Sequence, residues 1–224
     1  MTTFQRARSE EQREIRRTAI LDTAASMLEE MPVGAVSLNE LSRRVGLAKS
    51  NVLRYFQSRE AVLLELLDHE WTQWSADLPD RLTATVDAHA RAQQRGEQFA
   101  AAVTASLAER RVLCDLLSAQ AGVLEHNVSP EVAARYKRAA LANADALATL
   151  ARTHLPELGH RADQLAASMI MMTGAVWTHS RPSQAMLTAY EADPTLASLR
   201  MDFTAALQEA LATLTAGTLA RVSS

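Results

Sequence analysis

The chain has 224 residues, with 23 Lys and Arg against 26 Asp and Glu, and a formal net charge of −3. This length can bury a hydrophobic core without disulfides or metal ions, and the charge argues against a protein that coats nucleic acid nonspecifically. The single cysteine, Cys114, leaves no internal disulfide, and with no signal-peptide pattern it favours the cytoplasm. The longest charge-free apolar run, residues 165–177, is shorter than the ~17 residues of a membrane-spanning helix, so no membrane contact is expected.

Glycine and proline are scarce, at 7 and 6 residues, and apolar residues recur at spacings of three and four. This periodicity predicts an all-α protein. The first helix is expected over residues 13–30, ended by Pro32 and Gly34. Its apolar face consists of Ile20, Ala24, Met27, Leu28 and Met31.

Two short helices and a tight turn are expected next. Ser37 followed by Glu40 forms a capping box, in which the serine accepts from a first-turn amide and the glutamate reaches back. This helix presents Leu38, Leu41 and Val45 to the core and ends at Gly46, which tolerates the left-handed conformation of a turn. A second helix over residues 49–56 follows, and Ser58 caps a third running to about residue 74. In the second helix the side chains available for packing are Val52, Leu53 and Phe56.

The remaining helices are marked by breaks and caps. We expect a break at residues 77–80 and helices over 81–126 that are divided near Gly96 and Glu109. Ser129-Pro130 starts a helix that reaches about residue 153, and another covers residues 162–179. A loop then precedes a last helix, which runs from Asp193-Pro194 to about Ala216.

The segment 37–67 resembles the DNA-binding signature of the tetracycline-repressor (TetR) family. The residues that carry the resemblance are Ser37, Gly46-Leu47-Ala48, Tyr55-Phe56 and Ser58-Arg59-Glu60. It implies a helix-turn-helix DNA-binding domain over residues 10–70, with the motif at about 37–56, and a helical ligand-binding and dimerisation domain over 71–224. About nine helices are expected in total.

The start of the recognition helix departs from the family pattern. Many members have Lys-Gly-Thr-Leu-Tyr where this chain has Lys49-Ser50-Asn51-Val52-Leu53, so a leucine replaces the usual phosphate-binding tyrosine. We infer that part of the phosphate contact shifts to Tyr55 and Arg59.

The candidate DNA-binding residues follow from side-chain chemistry. Asn pairs with adenine and Arg with guanine in the major groove, so Asn51 and Arg54 are expected to read bases. Residues 37–60 carry a net charge of +3, which leaves −6 on the rest of the chain and suits a local phosphate-binding surface. Lys49 is expected to read a base or to hold a phosphate. The other candidates are Ser50 beside it, Ser37, Tyr55 and Arg59 on phosphates, and Asn39 at the groove edge. Alternatively, these are solvated polar residues, as we expect for Arg43 and Arg44.

A homodimer is expected, because two helix-turn-helix units about one DNA turn apart read a palindromic operator. The apolar segment 165–177 and the last helix offer a four-helix interface. In the last helix the apolar residues are Leu196, Leu199, Phe203, Leu207, Ala210 and Leu214. The alternative places both helices inside one subunit.

The family resemblance also implies a small-molecule effector in the second domain. The expected lining consists of Trp71, Trp74, Met169, Met172 and Trp177, with Met171 and Met186 as further candidates. Such residues at helical spacing also form ordinary core.

No enzyme, metal or cofactor signal stands out. The six histidines form no metal-like pair, and a phosphate loop and a nucleophile elbow are missing. Cys114 is expected to be a small buried hydrophobe rather than a redox sensor.

The sequence therefore predicts a transcriptional repressor that a small apolar ligand releases from a palindromic operator. The alternatives are a DNA-anchored interaction module controlled by a protein partner and an all-helical enzyme.

Overall fold

The computed structural model describes residues 3–222, and the side chains of residues 10–222. This part of the chain contains helices and no strand, which confirms the all-α prediction. Nine of its helices have eight or more residues, as expected, while α3 and α10 have four. The helices are α1 (Thr3–Glu30), α2 (Leu38–Val45), α3 (Lys49–Val52), α4 (Arg59–Thr85), α5 (Ala92–Ala108), α6 (Arg111–Ala119), α7 (Pro130–His154), α8 (Arg161–His179), α9 (Gln184–Ala192), α10 (Pro194–Ala197) and α11 (Phe203–Ala220).

Helix α1 begins at Thr3, ten residues earlier than predicted. Residues 3–12 contain Glu, Gln and Arg, which are good helix formers, and neither Pro nor Gly, so nothing in them stops the helix. The predicted apolar face is confirmed: Ile20, Ala24, Met27 and Leu28 are fully buried. The helix ends before Pro32, as predicted.

The serine caps of α2 and α4 are confirmed. Ser37 Oγ accepts from the Glu40 amide at 3.1 Å, and Ser58 Oγ accepts from the Ala61 amide at 3.1 Å. Gly46 ends α2 with a φ of 72°, which is the left-handed conformation that glycine tolerates. The other predicted contact of the capping box, in which Glu40 reaches back to the start of the helix, is wrong. The Glu40 carboxylate instead accepts hydrogen bonds from the side chains of two following arginines.

Helix α4 runs without the predicted break at residues 77–80. Pro79 lies inside the helix and removes one backbone donor. Leu78 and Leu82 are 1% and 0% exposed. Because their burial stabilises the helix on both sides of the proline, the tertiary core outweighs the local signal.

The predicted division near Gly96 is also wrong, whereas the one near Glu109 is confirmed. Gly96 is buried inside α5, and a Cβ there would lie 3.0 Å from Thr215 Cγ2 in α11. The glycine therefore allows close packing of two helices. Helix α5 ends at Ala108, and a π-helical turn at Gln120–Leu124 follows α6.

The C-terminal helices differ from the prediction after α8. The starts of α7, capped by Ser129, and of α8 are confirmed. The expected loop instead contains α9, and the expected last helix divides into α10 and α11. Asp202 Oδ1 accepts from the Ala205 amide at 2.8 Å and so starts a separate helix. Leu196 and Leu199 consequently lie outside α11.

Helix α4 connects two groups of helices. It packs against α1 on one side of the molecule and against α5, α6 and α7 on the other. Helix α8 contacts α6, α7 and α11, and α5 packs along α11. None of the helices within residues 3–222 has the length and apolar character needed to cross a bilayer.

Candidate nucleic-acid interface and effector cavity

The recognition segment around α3 is attached to α1 and α4. Its apolar side consists of Val52 and Phe56, which are 0% and 3% exposed. Arg17 of α1 donates to the Tyr55 carbonyl oxygen at 2.9 Å, and its guanidinium carbon lies 4.6 Å from the centre of the Phe56 ring. Arg17 also forms an ion pair with Glu65 of α4. One half-buried arginine thus connects three elements at the end of the recognition segment.

The outer side of this segment is polar and unpaired. We call the exposed side chains of Lys49, Ser50, Asn51 and Arg54 the α3 face. They form no hydrogen bond and no ion pair with the part of the chain that the structure describes. Their donors and acceptors are therefore available to a partner molecule.

The predicted phosphate-binding residues lie in different environments. Asn39 is exposed, and Ser37 uses its oxygen as a helix cap. Tyr55 is half-buried against the core. Arg59 donates to the Val36 carbonyl at 3.1 Å and to Glu60 at 3.0 Å, so its guanidinium already has partners within the fold.

Leu53 does not pack into the core as predicted. Helix α3 ends at Val52, and the next three residues form turns, so the helix is shorter than the predicted 49–56. Leu53 is 41% exposed beside Arg54. An apolar side chain therefore stands next to the α3 face.

Two arginines of α1, which are not among the candidates predicted from the sequence, lie in the same groove as the α3 face. Arg13 and Arg16 of α1 are exposed and make no ion pair with described residues. Their spacing on the polar side of α1 was visible in the sequence, but only the fold places them beside α3. The residues that line this groove are Gln12, Arg13, Arg16, Leu47, Asn51, Arg54 and Tyr55.

Arg43 and Arg44 are engaged in ion pairs. Both donate to Glu40, and Arg44 also contacts Glu30 at 2.7 Å. These hydrogen bonds lower the pKa of Glu40 to about 2. The available positive charge near α3 therefore comes from other side chains, above all Lys49 and Arg54.

Three of the predicted ligand-binding residues line a cavity between α4, α5, α6, α7 and α8. The Trp71 cavity, as we call it, is narrow, with an outer lobe of about 30 Å³ and an inner lobe of about 10 Å³. Trp71, Leu117 and Ile170 line both lobes, and Trp74 and Met169 line the inner lobe.

The three tryptophans differ in their hydrogen bonds. Trp74 Nε1 donates to Ser106 Oγ at 2.9 Å, and Trp177 Nε1 donates to Asp115 Oδ1 at 2.7 Å. Trp71 Nε1 is buried without a partner among the described residues. A buried N–H without an acceptor is unfavourable, so Trp71 is the exception in this core.

The other predicted lining residues lie elsewhere. Trp177 stacks edge-on against Phe203, at 4.7 Å between ring centres, and Arg181 lies 4.0 Å from its ring centre. Met172 is half-buried outside the linings of both lobes. Met171 and Met186 are on the surface, at 67% and 46% exposure.

Polar side chains of α4, α7 and the π-helical turn line the outer lobe. Asn143 donates to Asp68 at 3.0 Å, and the Tyr136 hydroxyl donates to Gln120 at 2.7 Å. Burial raises the pKa of Tyr136 to about 12, so the phenol stays neutral. Nothing in the sequence distinguished these residues from other polar residues on helices.

Cys114 is fully buried, which confirms the prediction of a small core residue. Burial raises the pKa of its thiol to about 12, so little reactive thiolate forms near neutral pH. Among the described residues no three His, Cys, Asp or Glu side chains are grouped as metal ligands.

Comparison with known protein families matches almost the whole chain. Residues 20–66 match the family described as bacterial regulatory proteins, tetR family. Residues 68–222 match the tetracyclin repressor-like C-terminal domain.

Individual relatives are more distant. Over 53 residues the chain is 43% identical to the HTH-type transcriptional regulator EthR of Mycobacterium tuberculosis, and the match spans 24% of each protein. A structure described as a possible TetR family transcriptional regulator from Streptomyces coelicolor A3(2) has a TM-score of 0.59 and 20% identity, covering 92% of this chain and 99% of that one. The regulator FadR from Bacillus subtilis, in complex with stearoyl-CoA, has a TM-score of 0.54 and 14% identity, covering 88% and 96%. At these identities the two structures show a shared fold.

Proposed function

Because this chain belongs to the TetR family of DNA-binding transcriptional regulators, we propose that it reads a specific DNA site through α3. The observation that carries the proposal is the α3 face, four exposed polar side chains without partners on a segment whose other side is buried. Regulators of this family are not enzymes, which sets aside the enzymatic alternative.

Base reading is assigned to Asn51 and Arg54. Both are exposed and unpaired, and both line the groove between α1 and α3. An amide suits adenine and a guanidinium suits guanine, each with ~1–3 kcal/mol of discrimination. Lys49 and Ser50 lie beside them and contact either a base edge or a phosphate.

Phosphate contacts are assigned to the groups around the α3 face. Ser37 and Asn39 lie at the N-terminus of α2, where backbone amides and the helix dipole favour an anion. Tyr55 and Arg59 were assigned to phosphates from the sequence. The fold adds the unpaired guanidinium groups of α1, which extend the positive surface along the groove. These are Arg13 and Arg16.

Two copies of the chain are proposed to form the DNA-binding unit, with a palindromic operator as their target. Helices α8 and α11 pack together, and each keeps an exposed side rich in small residues, such as Ala175 and Ala216. Ten large apolar side chains are exposed in the described part of the chain. Half of these lie within residues 171–201, namely Met171 of α8 and Met186, Leu196, Leu199 and Met201 between α8 and α11. A second subunit would remove this apolar surface from water.

The effector site is assigned to the Trp71 cavity. We divide the chain into a DNA-binding domain, residues 10–70, and a ligand-binding and dimerisation domain, residues 71–224. Helix α4 crosses this boundary, so that Arg59 near the recognition segment and Trp71 in the cavity stand on one helix, about 18 Å apart at 1.5 Å per residue. A ligand that shifts α4 would therefore move the recognition segment.

Repression with release by a small apolar ligand is the mode of action that this arrangement favours. The ligand would stabilise a dimer whose two α3 faces are wrongly spaced for the operator. A coupling of ~1–3 kcal/mol between the two sites is typical of such switches.

The test begins with selection of bound fragments from genomic DNA, followed by anisotropy titrations on the selected site. Replacing Asn51 and Arg54 together with alanine is expected to abolish the preference for that site over random DNA. The matched control is Arg138→Ala, which removes another exposed arginine, in α7, that has no ion pair with described residues. The proposal fails if the wild-type protein selects no sequence, or if the control weakens binding as much as the double variant.

A further inference from the structure

We propose that Leu53 contacts the 5-methyl group of a thymine in the major groove, and so adds an apolar contact to the hydrogen bonds assigned to Asn51 and Arg54. This inference rests on the proposed function, because it names a further specificity-determining residue of the same DNA-binding surface. It is carried by the exposure of Leu53, by its place on the recognition segment and by the chemistry of base edges.

Leu53 is an exposed apolar residue in a segment whose other apolar side chains are buried. It is 41% exposed, whereas the nearby Val52 and Phe56 are 0% and 3% exposed. Within residues 10–122 one other large apolar side chain is exposed, that of Ile15 in α1. A single exposed leucine is common on protein surfaces, so exposure alone assigns no role to it. The side chains around it decide what it can contact.

The backbone places Leu53 on the same side of the segment as Lys49 and Ser50. The Leu53 amide donates to the Lys49 carbonyl oxygen at 3.0 Å, so the helical hydrogen-bond pattern extends to this residue. Residues three and four apart lie on one side of a helix, which groups Leu53 with Ser50 and Lys49. Arg54 follows directly and is also exposed. Polar side chains of the α3 face therefore border the leucine, and DNA that contacts them would also cover Leu53.

Leu53 and Asn51 lie on different sides of this surface. Two residues along a helix correspond to a rotation of about 200°. Asn51 lines the groove beside α1 together with Arg13 and Arg16, whereas Leu53 is not among the residues that line it. The recognition segment thus presents a hydrogen-bonding amide towards α1 and an apolar side chain on the side away from α1.

The chemistry of the major groove leaves one suitable partner for a leucine. Its side chain has neither a donor nor an acceptor, so it cannot form hydrogen bonds with a phosphate or with the polar groups of a base edge. Among the four bases of DNA, thymine alone carries an apolar group on this edge, the 5-methyl group. Contact between Leu53 and this methyl group removes both from water. Cytosine at the same position would instead bring its amino group close to a side chain that cannot accept a hydrogen bond.

The test compares thymine with uracil in the operator, because uracil lacks only the 5-methyl group. Each thymine of the selected site is replaced in turn, and binding of the full chain is measured by anisotropy. At one position in each half-site, the replacement is expected to weaken binding about fourfold, which corresponds to ~0.8 kcal/mol for one buried carbon group. Full affinity after every replacement would overturn the proposal.

Variants show whether Leu53 is the side chain that contacts the methyl group. Leu53→Ala should bind the thymine and uracil sites equally, whereas Leu53→Met keeps an apolar side chain of similar volume and should retain the difference. The matched control is Leu141→Ala, which removes a leucine of α7 that is 72% exposed and should leave the fourfold ratio unchanged. An unchanged ratio in Leu53→Ala would assign the methyl contact to another residue and overturn the proposal.

The design separates this inference from the proposed function. The uracil replacements on the wild-type protein need no variant, and Leu53→Gln takes the place of Leu53→Ala if the latter fails to fold, with the same expected loss of the ratio. A wild-type protein that selects no sequence refutes the proposed function and this inference together. A selected site that is bound equally well with and without its thymine methyl groups refutes this inference alone.

Discussion

The α3 face and the Trp71 cavity both contain polar groups without protein partners, but in opposite environments. The amide of Asn51 and the guanidinium of Arg54 are exposed, so water satisfies them in the free protein. The indole N–H of Trp71 is buried and unsatisfied. The first surface is therefore suited to a large polar polymer that displaces water, whereas the second keeps an unpaired donor inside the core.

The helices that hold the two regions in place also differ in length. Helix α3 has four residues and relies on α1 and α4, through Val52, Phe56 and Arg17. The cavity is enclosed mainly by long helices, including α4 and α7 with 27 and 25 residues. Single substitutions under α3 should therefore disturb DNA binding more readily than single substitutions around the cavity disturb the fold.

The largest effect is expected from Phe56→Ala. The ring is 3% exposed and lies under the Arg17 guanidinium, so its removal leaves a cavity beneath the recognition segment. The free energy of unfolding should fall by ~3–5 kcal/mol, and operator binding should be lost. Urea unfolding measures the change. The control Leu199→Ala, at 64% exposure, should stay within ~0.5 kcal/mol, and a similar loss in both variants would contradict the buried role of Phe56.

Arg17→Ala should have the next largest effect. It removes a charged donor from the Tyr55 carbonyl and leaves Glu65 with only the more distant Arg135 as a basic partner among the described residues. Hydrogen bonds to charged groups contribute ~1.5–3 kcal/mol, and we expect a loss of this size in operator affinity. Anisotropy checks it. Arg17→Lys should recover part of the affinity, since it keeps the charge; full affinity in Arg17→Ala would show that the Tyr55 end of the segment needs no support from α1.

A comparison of Arg54→Ala with Arg59→Ala separates base reading by Arg54 from the structural and phosphate-binding roles of Arg59. Arg54 is unpaired, so its loss should weaken specific binding by ~1–3 kcal/mol and relax one base preference without changing the unfolding curve. Arg59 is held by the Val36 carbonyl and Glu60, so its loss should also cost about 1 kcal/mol of stability. Binding to all sequences should weaken, with a flatter salt dependence. Titrations at several salt concentrations compare the two, and identical profiles would refute the separate roles.

Local signals predicted the region around α3 better than the rest of the fold. Ser37, Gly46 and Ser58 act on neighbouring backbone, so their effects were readable from the sequence. Helix breaks were wrongly predicted at Pro79 and Gly96, because the packing around these two residues involves side chains that are distant in sequence. The buried leucines beside Pro79 maintain the helix, and the close approach of α11 explains the glycine.

The candidate sites show the same limit. Side-chain type and helical position were enough to select Asn51 and Arg54. Arg13 and Asp68 were missed, because their relevance comes from neighbours far away in sequence. Trp71 and Trp177 looked equivalent in the sequence, and only their different hydrogen-bond partners separate them.

The smallest effects are expected when two serine caps are removed. One caps α2, the helix before α3, and the other caps α9, far from α3 in sequence. Ser37 accepts from the Glu40 amide at 3.1 Å, and Ser183 accepts from the Met186 amide at 3.4 Å. Ser37→Ala should lower the free energy of unfolding by about 1 kcal/mol, because α2 packs into the core through Leu41. Ser183→Ala should lower it by less than about 0.5 kcal/mol, because α9 has no buried residue and can open without unfolding the core. Urea unfolding with hydrogen exchange measures both, and an equal loss would contradict the idea that α9 opens independently of the core.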